Sequence, residues 1–311
     1  MEDLVFYSKG KATGVVAPST LFSSKPGLLA VNGPEAIVEI PENSESALHK
    51  ALQAAGSLVE GTPTEVDAVL GLLADPQTSR TASYLLCYAK NCTSLISDLK
   101  ALRESRILIV GCGGIGSSLA MLLAGAGIRK FCLVDTDVVE KSNLNRQLFW
   151  VLSDVNHKKV DVLKRALEAR FEGIEVDCLH SSPGTNRIRE LAMVNTHGVA
   201  ITADNPPTLA REGWMITKEL GVPVVSGGYL HQICTSFHFV PDDCEAIEEA
   251  YNKLEEEQWA ALPSAIMPSY GPMNFSLASA LSSNLIASLA ENTFGRQKTS
   301  VTRWNSRETF Q

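Results

Sequence analysis

Four glycines stand where a backbone turn could hold a phosphate: Gly111, Gly113, Gly114 and Gly116. In such a turn, glycines allow a sharp bend, a close approach to phosphate and a helix packed tightly on a sheet. Asp135 follows Gly111 by 24 residues, at the end of the next apolar run. An acidic side chain there can accept hydrogen bonds from ribose hydroxyls, so the spacing predicts a nucleotide site.

Polar residues after Asp135 indicate which nucleotide is bound. They are Asp137, Ser142, Asn143, Arg146, Gln147 and, further on, Lys159. A dinucleotide redox cofactor needs no second set of cations, because a helix N-terminus already stabilises its bridged phosphates. A triphosphate that loses pyrophosphate does need fixed cations, because negative charge builds up on the leaving group. Arg146 and Lys159 therefore favour ATP over NAD.

A later acidic residue predicts a metal ion beside the phosphates. Asp204 directly follows the apolar run Val199–Ala203 and precedes Asn205. A carboxylate in that position can hold Mg²⁺ together with water and phosphate ligands. We therefore expect Arg146, Lys159 and Asp204 to carry the catalytic chemistry.

Apolar runs alternate with helical stretches around these residues. Ile107–Val110 predicts a buried parallel strand, Ser117–Ala126 a helix that lies flat on a sheet, and Val199–Ala203 a later strand. The carboxyl ends of parallel strands meet at one edge of a sheet, so the polar residues that follow them gather in one crevice. The predicted fold class is α/β, with a doubly wound, mainly parallel, Rossmann-like sheet.

Taken together, the motifs resemble a known family. GCGGIG (111–116), DxDxVExSNLNRQ (135–147), a lysine 13 residues after Arg146 and the later ADN (203–205) are similar to the ubiquitin-activating-type (ThiF/MoeB-like) adenylating enzymes. The resemblance implies this set of contacts: ribose at Asp135, triphosphate along Ser142–Arg146, phosphate at Lys159, and the metal or the adenine side at Asp204 and Asn205. Asn156 replaces a glycine that is usual in the family, and asparagine tolerates the left-handed dihedrals of such a turn.

The first 90 residues lack this alternation and predict a separate domain. Short strand-like pieces at Leu4–Tyr7, Gly14–Ala17, Leu28–Asn32 and Ala36–Ile40 precede two amphipathic helices at Ser44–Ala55 and Pro63–Ala74. This order is typical of a winged-helix-like α+β domain (1–90), followed by an ATP-binding domain (91–311). The layout resembles the ribosomal-peptide-modifying members of the family, such as the microcin C adenylating enzyme and the pantocin A biosynthesis enzyme. That resemblance implies recognition of a precursor peptide; a dimerisation or packing role is the alternative.

Composition and charge limit the possible partners. The chain has 311 residues, 45% of them hydrophobic, and a net charge of −8 without a basic stripe. A nucleic-acid partner is therefore not expected. The N-terminus lacks an apolar signal segment, and polar residues interrupt the longest apolar stretch, Met273–Asn292, so no signal peptide or membrane span is predicted. We expect a cytoplasmic enzyme.

The seven cysteines include no CxxC pair. A structural zinc needs four converging ligands, usually as two close pairs, so no zinc is expected, although many bacterial relatives carry it. Cys112 and Cys132 fall in the glycine turn and in a buried strand, and we interpret both as small core residues. Cys234 and Cys244 flank the passage from a strand into a crossover segment, where some relatives place a reactive cysteine. Transfer to an external thiol is therefore a secondary hypothesis.

The crossover segment Pro241–Met267 is rich in acidic residues and contains a single lysine. Such a run is usual for a solvated helical face. The alternative is a cover over the acyl site that selects substrates by charge. Of the two preceding histidines, we interpret His238 as a satisfied histidine of the sheet and His231, in a turn, as a candidate for the substrate pocket.

The reaction that these residues favour begins when a substrate carboxylate attacks the α-phosphate of ATP. Pyrophosphate leaves, and the acyl adenylate meets a nucleophile of the same peptide, which forms a new bond or ring. Two other classes stay open: activation of the C-terminus of a sulfur-carrier protein, and an NAD-dependent oxidoreductase. The family resemblance also implies a homodimer, in which an arginine of the partner subunit reaches the phosphates, and Arg80 is the candidate for it.

The set of cations gives a first prediction. Saturating ATP with Mg²⁺ should raise the melting temperature of the protein, whereas NAD at the same concentration should not. A ligand at about 100 times its dissociation constant stabilises the folded state by about 2.7 kcal/mol, which shifts a melting curve measurably. Differential scanning fluorimetry makes the comparison. Equal or larger stabilisation by NAD would contradict the assignment of ATP.

Overall fold

A computed structural model of the chain describes residues 2–23, 25, 27–182, 184–203, 209, 212–243 and 268–306. They belong to two compact units. The first lies within residues 1–102 and 290–296, and the second within residues 103–289 and 297–311. A short segment near the C-terminus therefore belongs to the first unit, which no sequence pattern had indicated.

The first unit has α+β character. Its strands and helices are β1 (Val5–Ser8), β2 (Lys11–Val16), β3 (Leu21–Phe22), β4 (Ala30–Asn32), β5 (Ile37–Glu39), α1 (Glu45–Ala54), β6 (Leu58–Glu60), α2 (Pro63–Ala74), α3 (Ser79–Leu86) and α4 (Cys92–Glu104). One antiparallel sheet has the order β1-β2-β6 and a second has the order β3-β4-β5. The four predicted strands and both predicted helices are present within a few residues, while β3 and β6 were not predicted.

Local sequence explains where α2 begins. Thr62 accepts a hydrogen bond from the Glu65 N–H, and the Glu65 side chain accepts one from the Thr62 N–H, which completes a capping box. Pro63 occupies the first helical position, where its missing N–H has no cost. The helix consequently has the bounds that the sequence predicted, Pro63–Ala74.

A buried carboxylate holds the returning C-terminal segment within the first unit. Asp98 of α4 is only 1% exposed. Its oxygens accept hydrogen bonds from the Asn292 N–H (3.3 Å), the Asn292 side-chain amide (2.8 Å) and the Thr293 N–H (2.7 Å). A buried carboxylate is tolerated when several donors satisfy it, so these bonds explain why the segment belongs to this unit.

The second unit is built on a seven-stranded sheet. Its elements are β7 (Arg106–Val110), α5 (Gly114–Gly125), β8 (Lys130–Val134), α6 (Lys159–Glu168), β9 (Glu175–Leu179), α7 (Thr185–Ala192), β10 (Gly198–Ile201), α8 (Gly213–Leu220), β11 (Val224–Leu230), β12 (Ile233–Phe239), α9 (Gly271–Leu289) and β13 (Ser300–Asn305). The short α10 (Glu291–Phe294) lies in the segment that belongs to the first unit. The strand order is β13-β12-β11-β10-β7-β8-β9.

This sheet confirms the predicted doubly wound fold. Strands β7 to β11 are parallel, and β12 and β13 continue the sheet in antiparallel pairs. The central strands β7 and β10 are almost wholly buried, which is why they read as continuous apolar runs. The chain order reverses between β7 and β10, because β8 and β9 extend the sheet on one side and β10 and β11 on the other. Ligands of such sheets bind outside the carboxyl ends of the strands at this point.

The long helix α9 covers part of the apolar stretch that the sequence predicted to be packed. It has 19 residues, and its buried positions include the polar Asn274 and Ser282. It packs along α5. Within the described ranges, no helix combines the length and the apolar character that a membrane crossing requires.

The Asp98 contacts predict a large loss of stability on truncation. Asp98→Ala would remove the acceptor of three hydrogen bonds and leave the buried Thr293 N–H without a partner, which costs about 1–3 kcal/mol. We expect the free energy of unfolding, measured by urea denaturation, to fall by about 1–3 kcal/mol. Asp67→Ala, at an exposed position of α2, is the control and should change it by less than about 0.5 kcal/mol. Equal stability of the two variants would refute the anchoring role.

Candidate nucleotide site

The glycine turn joins β7 to α5 and has no room for larger residues. Gly111 has a φ of +93°, and a Cβ at this residue would lie 2.5 Å from the backbone nitrogen of Ala203. A Cβ on Gly116 would overlap the carbonyl oxygen of Gly111. The Thr202 hydroxyl donates to that same carbonyl at 2.7 Å. The turn is therefore pressed against the end of β10.

The first turn of α5 follows the glycine turn at the carboxyl end of β7. Its N-cap is Gly113, and no side chain caps it. The first N–H groups of a helix have no partner within the helix, and the helix dipole favours an anion beside them. Gly113 leaves space beside these groups, whereas the Asn274 amide fills the space beside Gly114, and the binding of a phosphate here stays a prediction.

Asp135 connects the glycine turn to the end of β8. One carboxylate oxygen accepts a hydrogen bond from the Cys112 N–H at 2.6 Å, and the other accepts one from the Asp137 N–H at 2.7 Å. Each oxygen keeps further acceptor capacity. Asp135 can therefore hold the turn and still accept hydrogen bonds from ribose hydroxyls.

Lys159 lies at the start of α6 and is paired with Asp137. Its Nζ atom is 2.7 Å from the Asp137 carboxylate, and its backbone N–H donates to the Asp137 carbonyl at 3.0 Å. The lysine side chain is 8% exposed and the aspartate side chain 62% exposed. A buried ammonium group needs an anionic partner, and a phosphate could replace or join Asp137.

Arg146 belongs to a loop that its own side chain helps to order. Its Nη1 atom donates to the Ser142 carbonyl at 2.7 Å and to the Asn145 side chain at 3.0 Å. The buried Asn143 accepts from the Glu140 N–H at 3.1 Å, so it shapes the loop. Ser142 is exposed.

The turn before α6 takes the conformation that the family usually gives to glycine. Asn156 has a φ of +72°, and its N–H donates to the Val139 carbonyl at 2.8 Å. Asparagine tolerates this left-handed region better than most residues. The departure from the family pattern therefore leaves the approach to Lys159 intact.

Two side-chain amides lie beside the glycine turn, and sequence reasoning missed one of them, that of Asn274. The Gln147 Nε2 atom lies 3.8 Å from the place of a Cβ on Gly113, and the Asn274 Nδ2 atom lies against the place of a Cβ on Gly114. Gln147 ends the NLNRQ motif and is among the polar residues that the sequence indicated after Asp135. Asn274 has no such signal, because it stands inside an apolar-leaning helix far along the chain.

Several expected residues lie outside the described part of the chain. They are Asp204 and Asn205, Cys244 and most of the acidic crossover segment. Among the residues that the structure does describe, no group of three or more His, Cys, Asp or Glu side chains is placed to hold a metal ion. The assignment of Mg²⁺ to Asp204 thus stays a prediction.

The remaining candidate residues lie on α3 of the first unit and on or between β11 and β12 of the second. Arg80 is exposed on α3 of the first unit, and His231 is exposed in the turn between β11 and β12. His238 is buried, its Nε2 atom lies 2.7 Å from the Ser288 hydroxyl, and burial lowers its pKa to about 4, as a satisfied sheet histidine would show. Burial also raises the pKa of the Cys234 thiol, which disfavours the thiolate that a thioester mechanism needs.

Comparison with known proteins identifies the family. The sequence pattern of the ThiF family matches residues 90–309, so the chain belongs to the ThiF family. The resemblance that the motifs indicated is thereby confirmed.

The adenylyltransferase and sulfurtransferase UBA4 of Yarrowia lipolytica is 33% identical over 141 residues, which are 43% of this chain and 33% of that protein. The tRNA threonylcarbamoyladenosine dehydratase of Bacillus subtilis is 41% identical over 80 residues, 26% of this chain and 30% of that protein. The matches thus span about a third of the length of these relatives.

Solved structures with the same fold cover nearly the whole chain. MccB of E. coli bound to ATP gives a TM-score of 0.68 at 19% identity, over 94% of this chain and 97% of that one. The microcin C7 biosynthetic enzyme MccB in complex with N-formylated MccA gives the same TM-score, identity and coverage. PaaA gives a TM-score of 0.59 at 17% identity, over 84% of this chain and 91% of that one. Identities this low show a common fold.

The crowding at the glycine turn predicts opposite effects for two alanine substitutions in α5. Gly116→Ala should destabilise the protein by about 1–3 kcal/mol and weaken ATP binding, because its Cβ would push apart Gly111 and Thr202. Gly125→Ala has open space and should be neutral or stabilising by up to about 1 kcal/mol. Urea denaturation and titration calorimetry with ATP measure both effects. Unchanged ATP affinity in Gly116→Ala would show that the turn is not part of the nucleotide site.

Proposed function

We propose that the protein is an ATP-dependent adenylating enzyme that activates a carboxylate of a ribosomally made precursor peptide. The acyl adenylate then reacts with a nucleophile of the same peptide, and the product is a matured peptide, such as a peptide antibiotic. Membership of the ThiF family supports the adenylation step. The peptide substrate rests on further observations.

One observation carries the choice of ATP. The contacts run without a break from the Cys112 N–H through Asp135 and Asp137 to the buried amine of Lys159. A dinucleotide site that transfers hydride has no use for a buried cation in this place. A reaction that expels pyrophosphate does, because fixed positive charge stabilises the leaving group.

Each residue has a separate proposed role in the first step, the formation of the acyl adenylate. The first turn of α5 binds phosphate, Asp135 accepts from the ribose, and Lys159 and Arg146 neutralise the triphosphate. The substrate carboxylate attacks the α-phosphorus, the bond to the bridging oxygen breaks, and pyrophosphate leaves with its electron pair. Positioning and charge neutralisation account for such a step, with little covalent chemistry by the protein. Bound Mg²⁺ would supply further positive charge at the phosphates, and Asp204 is the residue that we assign to it.

The first unit supports a peptide as the substrate. It carries a groove of about 490 Å³ at the end of β6, lined by Lys11, Thr13, Glu60, Thr62, Asn91 and Thr93. Strand β6 pairs only with β2 in the described sheet, so no strand lies along its other edge, and we assign an added peptide strand to that edge. Added strands gain affinity from backbone hydrogen bonds and selectivity from alternate side chains. MccB, whose fold covers 94% of this chain, binds MccA, and that likeness favours the same use here.

A second copy of the chain belongs to the proposal. In this family an arginine of the partner subunit reaches the phosphates, and we assign Arg80 to that role because it is exposed on α3. We also propose that the enzyme acts in the cytoplasm, without nucleic acid as a partner, as the net charge of −8 favours.

A specific observation favours one alternative substrate. The adenylyltransferases and sulfurtransferases UBA4 of Yarrowia lipolytica and MOCS3 of Anopheles gambiae are each 33% identical to this chain over the matched residues. On this alternative, the carboxylate would be the C-terminus of a sulfur-carrier protein. One assay distinguishes the two candidate substrates, because only the one whose carboxylate the enzyme adenylates would drive exchange of pyrophosphate into ATP.

The proposal predicts a peptide-dependent exchange of labelled pyrophosphate into ATP. Short precursor peptides encoded beside the gene should drive the exchange, and a carrier protein that ends in Gly-Gly should not. Lys159→Ala and Arg146→Ala should each slow it by about 2.7–4 kcal/mol, the cost of one preorganised charge-stabilising donor, and Asp204→Ala should abolish it. Lys164→Ala, on the same helix as Lys159, is the control. Exchange driven by the carrier alone would replace the peptide with the sulfur-carrier alternative.

A further inference from the structure

The first turns of two helices meet beside the glycine turn. Asn274, in the first turn of α9, lies against Gly114, in the first turn of α5. A Cβ on Gly271, at the start of α9, would lie 3.7 Å from the Cα atom of Arg146. The positive ends of both helix dipoles and the loop of Arg146 thus surround the same place.

Hydrogen bonds fix the orientation of the Asn274 amide. The Tyr229 hydroxyl accepts from the Tyr270 N–H at 2.9 Å, contacts the Ser269 hydroxyl at 2.9 Å, and donates to the Asn274 Oδ1 atom at 2.9 Å. Because the oxygen of the amide faces Tyr229, its nitrogen faces Gly114. Tyr229 follows directly after the buried part of β11, so the network ties the carboxyl end of this strand to α9.

The amide nitrogen is a buried donor without an acceptor. Asn274 is 3% exposed, and within the described residues its Nδ2 atom makes no hydrogen bond. A buried donor without a partner costs free energy, and such groups in native proteins call for an explanation. A ligand that supplies the acceptor is one such explanation.

Its location indicates the kind of acceptor. The nitrogen occupies the space that a Cβ on Gly114 would take. Cα–Cβ bonds of a helix tilt toward its N-terminus, so the amide lies over the N-terminal end of α5. That end is the expected site of a nucleotide phosphate.

We propose that Asn274 binds a phosphate of the nucleotide, with its Nδ2 atom as donor, and that Tyr229 is the positioning residue that aims it. This inference rests on the proposed ATP site. It adds a side-chain donor from α9 to the backbone donors of α5. The contact also accounts for Gly114, since any side chain there would displace the amide.

A ligand series separates a phosphate contact from a general disturbance of the site. Titration calorimetry compares adenosine, AMP and ATP with Mg²⁺ on the full chain and on Asn274→Ala, Asn274→Asp and Tyr229→Phe. Loss of one hydrogen bond to a charged group predicts dissociation constants for AMP or ATP that rise about ten- to a hundredfold in both Asn274 variants. Adenosine should bind as before. Tyr229→Phe should shift affinity in the same direction by a smaller factor, because it leaves the donor in place but no longer aims it.

Asn284→Asp is the matched control. It makes the same chemical change in the same helix, ten residues or about 15 Å further along. It should leave all three affinities unchanged. Melting curves establish which variants fold. If an Asn274 variant does not fold, Tyr229→Phe still tests the inference, because it retains the packing of the ring.

Each outcome separates this inference from the proposed function. Wild-type affinity for AMP and ATP in folded variants of Asn274 and Tyr229 would overturn the inference while leaving ATP binding in place. An equal loss of affinity for adenosine would also overturn it, because the amide would then only support the fold of the site. A wild-type protein that binds none of the three ligands would overturn the proposed function, and the inference with it.

Discussion

The carboxylate of Asp135 is the constraint on which the nucleotide site depends. One of its oxygens accepts a hydrogen bond from the Cys112 N–H and the other accepts one from the Asp137 N–H. These bonds connect the glycine turn to the loop after β8. The bonds from the Gly111 N–H to the Val134 carbonyl and from the Thr202 hydroxyl to the Gly111 carbonyl add to this hold on the turn, where Gly111 has a φ of +93°. The start of α5 and the loop after β8 are thus positioned by the same group, which is also the residue that we propose to bind the ribose.

The same connection explains how a lysine can be buried beside this turn. Lys159 is 6% exposed, and a charged amine so far from water must be paired. Asp137 supplies the partner from the surface, since its carboxylate is 62% exposed, and its own backbone N–H is held by Asp135. On the proposed function, an incoming triphosphate would meet a cation that is already in position, so little reorganisation would be needed when charge develops on the leaving group.

The sequence predicts the elements whose signals are local. The apolar run of β7, the capping box of α2 and the glycines before α5 each determine structure through their own neighbours. The strands β3 and β6 have only two and three residues, too few for an alternating pattern, and β6 pairs with β2, more than 40 residues earlier in the chain. The return of residues 290–296 to Asp98 and the contact of Asn274 with Gly114 depend on packing between positions far apart in the chain. Hydrophobic periodicity cannot report such contacts, because a buried polar residue in an apolar helix looks like an interruption.

The similarities differ in how much of the chain they cover. The family pattern begins at residue 90 and the match to UBA4 covers only 43% of the chain, so the family pattern includes the candidate nucleotide site and omits most of the first unit. The likeness to MccB, in contrast, extends over 94% of the chain. A common adenylating site can serve any carboxylate that reaches it, since the protein does little covalent work in that step. The first unit, with its groove at the end of β6, is the largest described part that the family pattern omits, and on our proposal it is this unit that selects the peptide.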